Sequence, residues 1–308
     1  IQSFLCNAGS LVGFLFPFIF TWIGISNIAP QDVVPDSVIY SFYIGAAILI
    51  LCVIYTTVKV KEMPPAEYAE YHGITEEEKK EKINMVKLLV KAPKAFWTVG
   101  LVQFFCWFAF MFMWTYTNGS VAANVFDAPT VETVVNGANK VVLDTKSIQY
   151  QNAADWVGVL FAVQAIGSVL WAVCIPMFKN RKLIYSLSLV LGGIGFISTY
   201  FVHNQYVLFI SFLLIGCAWA AMLALPFTIL TNALSGGHMG TYLGLFNGTI
   251  CIPQIVAATL GGSILALFTP KGMLPPEINM LVMAGVMLII GAVCVYLIKE
   301  TKGEQAKA

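Results

Sequence analysis

Long runs of apolar residues, separated by short polar segments, dominate the chain. Eight runs of roughly 20 residues or more cover positions 1–24, 38–58, 95–117, 153–178, 183–202, 205–232, 240–268 and 278–298. A helix rises about 1.5 Å per residue, so about 20 residues are needed to cross about 30 Å of hydrocarbon. The pattern predicts an all-α, polytopic membrane protein with eight transmembrane helices.

The composition supports this prediction. Of the 308 residues, 58% are hydrophobic and 11% are charged, whereas a soluble domain carries about a quarter charged residues. The net charge of +1 says nothing about partners, and no basic patch suggests a nucleic-acid partner. All seven cysteines fall inside apolar runs without a CxxC spacing, so neither a metal site nor a cofactor is predicted.

The basic residues predict the orientation of the chain. Fourteen of the 17 lysines and arginines lie in three segments, the connection 59–94, the connection 179–182 and the tail 299–307. Alternation of the apolar runs places these segments on one side of the membrane. The positive-inside rule makes that side cytoplasmic, so we expect a multi-pass protein of the plasma (inner) membrane with a cytoplasmic carboxyl terminus.

Along the chain, two apolar runs are followed by a long charged loop and then by six more runs. This order resembles part of the plan of major facilitator-type transporters, which have six helices in each half. On that plan, residues 1–58 are the last two helices of an amino-terminal bundle and 59–94 the central cytoplasmic loop. Residues 95–299 are a six-helix carboxyl-terminal bundle, and 300–308 a cytoplasmic tail. We therefore expect helices five to twelve of twelve, with the first four missing from this sequence.

Neutral polar and aromatic residues recur at helical spacing within the apolar runs, whereas no charged residue lies deep in any of them. Amides bind hydroxyl groups, and a flat indole ring covers the C–H face of a sugar. The residues predicted to bind substrate are Gln103, Trp107, Trp114, Gln164, Asn247 and Gln254. The alternative for each is a hydrogen bond between helices, worth about 0.6 kcal/mol.

The run 240–268 combines small and polar residues. Gly240, Gly244 and Gly248 are four apart, which predicts a face for close helix packing, and Pro253 removes one backbone donor. We expect this helix to line a pathway and to move against its neighbour. The loops 179–182 and 235–240 are predicted to help close the inner face, with flexibility and charge supplied by Gly236, Gly237, Gly240, Lys179, Arg181 and Lys182.

Two loops carry further predictions. The segment 118–152 contains β-branched and turn residues and predicts a small hairpin around Asn136-Gly137, which is either a lid or a decoration. In the loop 59–94, "KINMVKLLVKAPK" predicts a surface amphipathic helix before Pro93.

The segment "LPFTILTNALSGGHMGTYLGLFNGTICIPQIV" resembles the sucrose/maltose–proton symporters, members of the glycoside–pentoside–hexuronide:cation symporters. The resemblance covers about 35 residues and rests on Pro226-Phe227, Gly236-Gly237, Leu243-Gly244, Asn247 and Pro253-Gln254. "VKEMPPAEY" is similar to bacterial members of the group. The resemblance implies a twelve-helix facilitator that imports a disaccharide or related glycoside with protons, and whose proton-carrying acid lies in the amino-terminal helices.

One difference from the plant-type members of this family leaves the identity of the sugar undecided. Plant-type relatives carry charged residues near the inner end of span eight, whereas "SVLWAVCIPMFKNRK" has none before Lys179. The alternatives are a sodium-coupled, melibiose-like symporter and a membrane sensor or scaffold without transport. No nucleophile–base pair or carboxylate pair lies within the runs, so we do not expect an enzyme. The expected partners are a sugar, a coupling cation and the lipid bilayer, and the expected state is a monomer.

Overall fold

The computed structural model describes residues 2–25, 34, 36–64, 67, 70–71, 85–135, 138–234 and 239–298. Within these ranges the chain forms ten α-helices and one β-hairpin. The helices are α1 Gln2–Trp22, α2 Asp36–Lys59, α3 Met85–Val90, α4 Lys94–Asn124, α5 Ile148–Cys174, α6 Arg181–Ser198, α7 Leu208–Ala233, α8 Met239–Phe246, α9 Gly248–Phe268 and α10 Ile278–Cys294. Single 3₁₀ turns, Ile175–Met177 and Val295–Leu297, extend α5 and α10. The chain is an all-α polytopic membrane protein.

Each of the eight apolar runs is helical, as predicted. In the described ranges, seven helical segments are long and apolar enough to cross a membrane, and the apolar part of α1, Phe4–Phe16, is shorter. The run 240–268 differs from the prediction in one respect, because a turn at Asn247 divides it into α8 and α9. The carbonyl of Asn247 accepts from the amides of Ile250 (3.0 Å) and Cys251 (3.1 Å), so the chain resumes a helical course at once.

The predicted hairpin is confirmed. β1 (Thr130–Val135) pairs with β2 (Ala138–Leu143) in antiparallel register, with Val131 opposite Val142. The connecting residues Asn136 and Gly137 lie outside the described residues. The hairpin follows the end of α4 and precedes α5, and we call this end of the bundle the hairpin end.

The chain divides into two compact units. The second contains Phe16–Ala92 and Ser235–Tyr242. Its loop contains the short helix α3, six residues long, at the place where the sequence predicted an amphipathic helix. The hydroxyl of Tyr242 donates to the carbonyl of Leu88 at 3.2 Å and ties α3 to the start of α8.

The first unit contains Ile1–Leu15, Pro93–Leu234 and Leu243–Ala308. Helix α4 packs along α10 and α9 and also contacts α5 and α7. Helix α6 packs against α7 and α10, and α5 packs against α7. Large buried side chains fill the space between these helices, among them Phe110, Phe112, Phe196 and Phe212. Because α4 contacts four other helices, its polar residues lie at interfaces between helices.

Glycines set the closest approaches between helices of this unit. A Cβ added at Gly167 of α5 would lie 2.6 Å from the carbonyl oxygen of Leu213 in α7, and one at Gly216 would lie 2.7 Å from the amide of Ser168. One at Gly285 of α10 would lie 2.7 Å from the carbonyl of Gly193 in α6. A Cβ at any of these three glycines would have to displace backbone atoms of the neighbouring helix. Without a hydrophobic force between helices in lipid, such close packing supplies much of the attraction.

Candidate functional site

The predicted polar stripe of α4 meets α7 at a proline. Gln103 is fully buried, and its Nε2 donates to the carbonyl oxygen of Met222 at 3.3 Å. This carbonyl lies four residues before Pro226, which has no N–H to offer it. The proline of α7 therefore creates an acceptor inside the bundle, and the amide of α4 satisfies it.

Next to this bond lies a cluster of aromatic rings. Trp107 and Trp114 of α4 are 6.4 Å apart by ring centroids, and each lies 5.7 Å from Trp219 of α7 in an edge-to-face arrangement. Phe110 lies 4.8 Å from Trp219. Trp107 is 8% exposed but Trp114 is 41% exposed, so the cluster opens to its surroundings on one side. We call Trp107, Phe110, Trp114 and Trp219 the tryptophan cluster.

Two polar atoms beside the cluster have no hydrogen-bond partner in the described part of the chain. They are the side-chain oxygen Oε1 of Gln103 and the indole Nε1 of Trp107, and both are buried. A buried polar group without a partner costs about 1–3 kcal/mol. Gln103 and Trp107 are one helical turn apart, and together they provide one acceptor and one donor.

The polar stripe of α5 is used mainly for packing. Gln164 is 4% exposed and lies where α5 crosses Gly216 of α7. Ser168 is fully buried, and its hydroxyl has no partner among the described residues. Trp171 donates from its Nε1 to the hydroxyl of Ser188 in α6 at 2.8 Å. Gln164 is therefore buried at the crossing of α5 and α7, and the described contacts do not join it to Gln103 or Trp107.

The amides of the run 240–268 are less buried than Gln103 and Gln164. Asn247 is exposed at the turn between α8 and α9, and Gln254 is half-buried on α9. The buried residues Ala257 and Gly261 of α9 lie three and seven positions after Gln254, close to the helical face that Gln254 occupies. No described contact joins either amide to the tryptophan cluster, and the binding role expected of the six residues stays a prediction.

Within the described residues, the predicted packing seam of this run makes no close contact with another helix. A Cβ at Gly240 or Gly244 would meet no described atom within 4 Å, and one at Gly248 would meet only Ile252 of its own helix, at 3.8 Å. GxxxG spacing permits close packing but does not select the partner, and among the described glycines those that approach a neighbouring helix closely include Gly167, Gly216 and Gly285 instead. Pro253 is buried, as its apolar ring favours.

The residues predicted to close the inner face are only partly described. Gly236 and Gly237 lie outside the described residues. Lys179 is exposed, while Arg181 and Lys182 are half-buried in the first turn of α6. Asn180 caps that turn by accepting from the amide of Leu183 at 3.0 Å, which fixes the direction of the helix.

Two residues of interest were absent from the sequence predictions. Trp219 lies near the middle of a 26-residue apolar helix, whereas tryptophans that anchor a helix lie near its ends. Its central position was the signal that could have identified it. Glu277 immediately precedes α10, and its burial has no local signal in the sequence.

A model of the family described as Major Facilitator Superfamily matches residues 121–308, more than half of the chain. The matched range contains Trp219, the glycine contacts and the turn at Asn247. No curated protein matches the chain.

Proposed function

The chain belongs to the major facilitator superfamily of secondary transporters, and from this membership we propose that it imports a disaccharide or related glycoside with protons. In such transporters the substrate binds near the middle of the membrane between two helix bundles, which rock around it. The tryptophan cluster and Gln103 of the first unit are the proposed substrate contacts.

The observation that carries the proposal is the unpartnered pair of atoms on Gln103 and Trp107. A hydroxyl group can accept a hydrogen bond from the indole N–H of Trp107 and donate one to the Oε1 of Gln103. A polyhydroxylated substrate would therefore satisfy both buried groups at once. The exposed ring of Trp114, 41% accessible, offers a flat surface for the C–H face of a sugar.

The neutrality of the cluster supports an uncharged substrate. Its four members and Gln103 are uncharged, and the sequence places no charged residue deep in any apolar run. A charge at the centre of the membrane costs about 2.5–3.5 kcal/mol on insertion scales, so a charged substrate would require a counter-charge that this cluster does not supply. Asn247 in the turn before α9 and Gln254 of α9 are proposed as further contacts that approach the sugar during the transport cycle.

The proposal can be tested by uptake of labelled maltose and sucrose into membrane vesicles that contain the full-length protein. Uptake is measured with a proton gradient, with a sodium gradient and with neither. Proton-driven uptake supports the proposal. Sodium-driven uptake would transfer the protein to the melibiose-like symporters, and a lack of uptake of any glycoside offered would contradict the substrate class.

The role of the cluster is tested with a matched pair of tryptophan substitutions. Trp107→Phe keeps an aromatic ring but removes the indole N–H, and we expect about tenfold weaker apparent affinity, the effect of about 1.4 kcal/mol. Trp171→Phe removes an N–H that already bonds Ser188 and should leave the affinity unchanged. Equal affinities of the Trp107→Phe variant and the parent protein would exclude this hydroxyl site.

A further inference from the structure

A carboxylate is held between helices at the hairpin end of the first unit. Glu277 stands at the N-cap position of α10, but its side chain makes no cap hydrogen bond. Its carboxylate instead lies directly over Gly119 of α4, where an added Cβ would overlap both carboxylate oxygens. Gly119 itself is buried. The carboxylate therefore fits into a notch that exists because residue 119 has no side chain.

The titratable groups that face this carboxylate are two tyrosines. Tyr116 belongs to α4 and Tyr150 to α5, and each is close enough to Glu277 for the charge of the carboxylate to act on its hydroxyl group. The hydroxyl of Tyr150 accepts from Nδ2 of Asn118 at 2.9 Å, while Oδ1 of Asn118 is buried without a described partner. No lysine, arginine or histidine of the described residues forms an ion pair with Glu277.

This environment opposes the negative charge of Glu277. Burial alone raises the pKa of its carboxyl group from 4.5 to about 7, as expected when a carboxylate leaves water without a cation to replace it. The amino-terminal end of α10 acts in the opposite direction, since it favours an anion by about 0.3–1 kcal/mol. The side chain makes no hydrogen bond to the free amides of the helix, so this opposing effect is weak.

We propose that Glu277 is a proton-binding residue, which holds a proton while the start of α10 packs on Gly119 and releases it to water when this contact loosens. The protonated carboxyl group is neutral and can donate a hydrogen bond, so it suits a notch bordered by two tyrosines and an amide. The ionised group needs more water than its half-buried position provides, and separation of α10 from α4 would supply it. Proton occupancy and the packing of α10 are thus linked.

The linkage does not depend on which substrate is transported. It rests on contacts within the first unit between α4, α5 and α10. A failure of glycoside uptake would therefore leave this inference intact, and loss of the proton site would leave the proposed substrate site intact.

The test is infrared spectroscopy of the purified full-length protein in lipid vesicles, in which the carbonyl stretch of protonated carboxyl groups is followed against pH. We expect one carboxyl group that titrates with a midpoint near pH 7, which is absent in Glu277→Gln. Glu132→Gln makes the same change on the exposed strand β1 and should keep the titration. Glutamine has the shape of the protonated acid, so the substituted protein should fold.

A second variant tests the notch rather than the carboxyl group. Gly119→Ala adds a methyl group where the carboxylate lies, which should push Glu277 towards water and lower the midpoint by about one pH unit or more. A protein in which no carboxyl group titrates between about pH 6 and about pH 8 would overturn the proposal. So would a titration that persists unchanged in Glu277→Gln.

Discussion

The side-chain amide of Gln103 donates to the carbonyl oxygen of Met222 at 3.3 Å, and this is the carbonyl that Pro226 leaves without its helical partner. The bond fixes the amide through Nε2, while Oε1 has no described partner. One end of the side chain thus joins two helices, and the other end is free to accept a hydrogen bond. The structural and the binding roles that the sequence suggested as alternatives are therefore compatible in this residue.

A first prediction concerns the link between Gln103 and Pro226. Gln103→Leu should destabilise the protein by about 0.6–1.7 kcal/mol, the range measured for hydrogen bonds between membrane helices. The Pro226→Ala substitution restores an N–H for the Met222 carbonyl. In that background we expect Gln103→Leu to cost less.

The measurement is a double-mutant cycle by thermal unfolding in detergent. Effects that simply add would show that the proline and the amide act independently. In that case Met222 finds another donor and the described bond contributes little.

A second prediction concerns the crossing of α5 and α7. Gly216→Ala should cost about 1–3 kcal/mol, because its Cβ would meet backbone atoms of α5, which cannot move away as a side chain can. Gly262→Ala is the matched control, since a Cβ at that helical position meets no described atom within 4 Å. Thermal unfolding of the two variants should separate them clearly, and an equal effect would mean that the helices can shift apart at little cost.

The sequence predicted the elements well, because the bilayer fixes the length of an apolar run. The predicted run 278–298, for example, becomes α10 with its 3₁₀ turn, Ile278–Leu297. The hairpin was predicted as well, because Asn136-Gly137 favours a two-residue turn. These features depend on residues that are close in sequence.

Contacts between helices could not be predicted in the same way. Trp219 joins Trp107 and Trp114 across more than a hundred residues, and nothing in a helical period gives the side on which a distant helix packs. The same limit applies to the glycines. The repeated spacing of Gly240, Gly244 and Gly248 predicted a packing face. Gly167 and Gly216, which make close contacts, are not part of such a repeat of glycines.

A third prediction concerns Trp219, which contacts both tryptophans of α4. Trp219→Ala should weaken substrate binding about tenfold or more, because it removes the ring that holds Trp107 and Trp114 in place, and each aromatic pair contributes about 0.5–1.5 kcal/mol. Trp219→Phe should lose less, since a ring remains. Affinity is measured from the concentration dependence of uptake.

Trp156 provides the control for this prediction. It donates to the carbonyl of Gln205 at 3.1 Å and stacks on Phe209 at 5.4 Å, away from the tryptophan cluster. Trp156→Phe should lower the unfolding temperature without changing the affinity. Normal affinity in Trp219→Ala would remove the tryptophan cluster from the substrate site.

A fourth prediction tests whether the two amides of the run 240–268 act in transport or in folding. Asn247 is exposed and Gln254 half-buried, so neither side chain should matter greatly for folding. Asn247→Ala and Gln254→Ala should keep the unfolding temperature within a few degrees of the parent protein, since exposed substitutions change stability by about 0.5 kcal/mol or less. If they contact the sugar during transport, uptake should fall strongly in both variants. Normal uptake in both would exclude them from the pathway.

The last prediction follows from the raised pKa of Glu277. In the unfolded chain this carboxyl group releases its proton near pH 4.5, but in the folded protein it does so near pH 7. Between these values the folded state binds more protons than the unfolded state, so stability falls as the pH rises through this range. One pKa unit corresponds to about 1.4 kcal/mol, so the contribution is at most about 3 kcal/mol and is reduced by the partial exposure of the side chain.

We expect the unfolding temperature of the parent protein to decrease between pH 5 and pH 8 relative to that of Glu277→Gln, with Glu132→Gln behaving like the parent. Parallel pH curves for the parent protein and Glu277→Gln would show that Glu277 is ionised in the folded state throughout, and that water reaches the notch above Gly119 without any movement of α10.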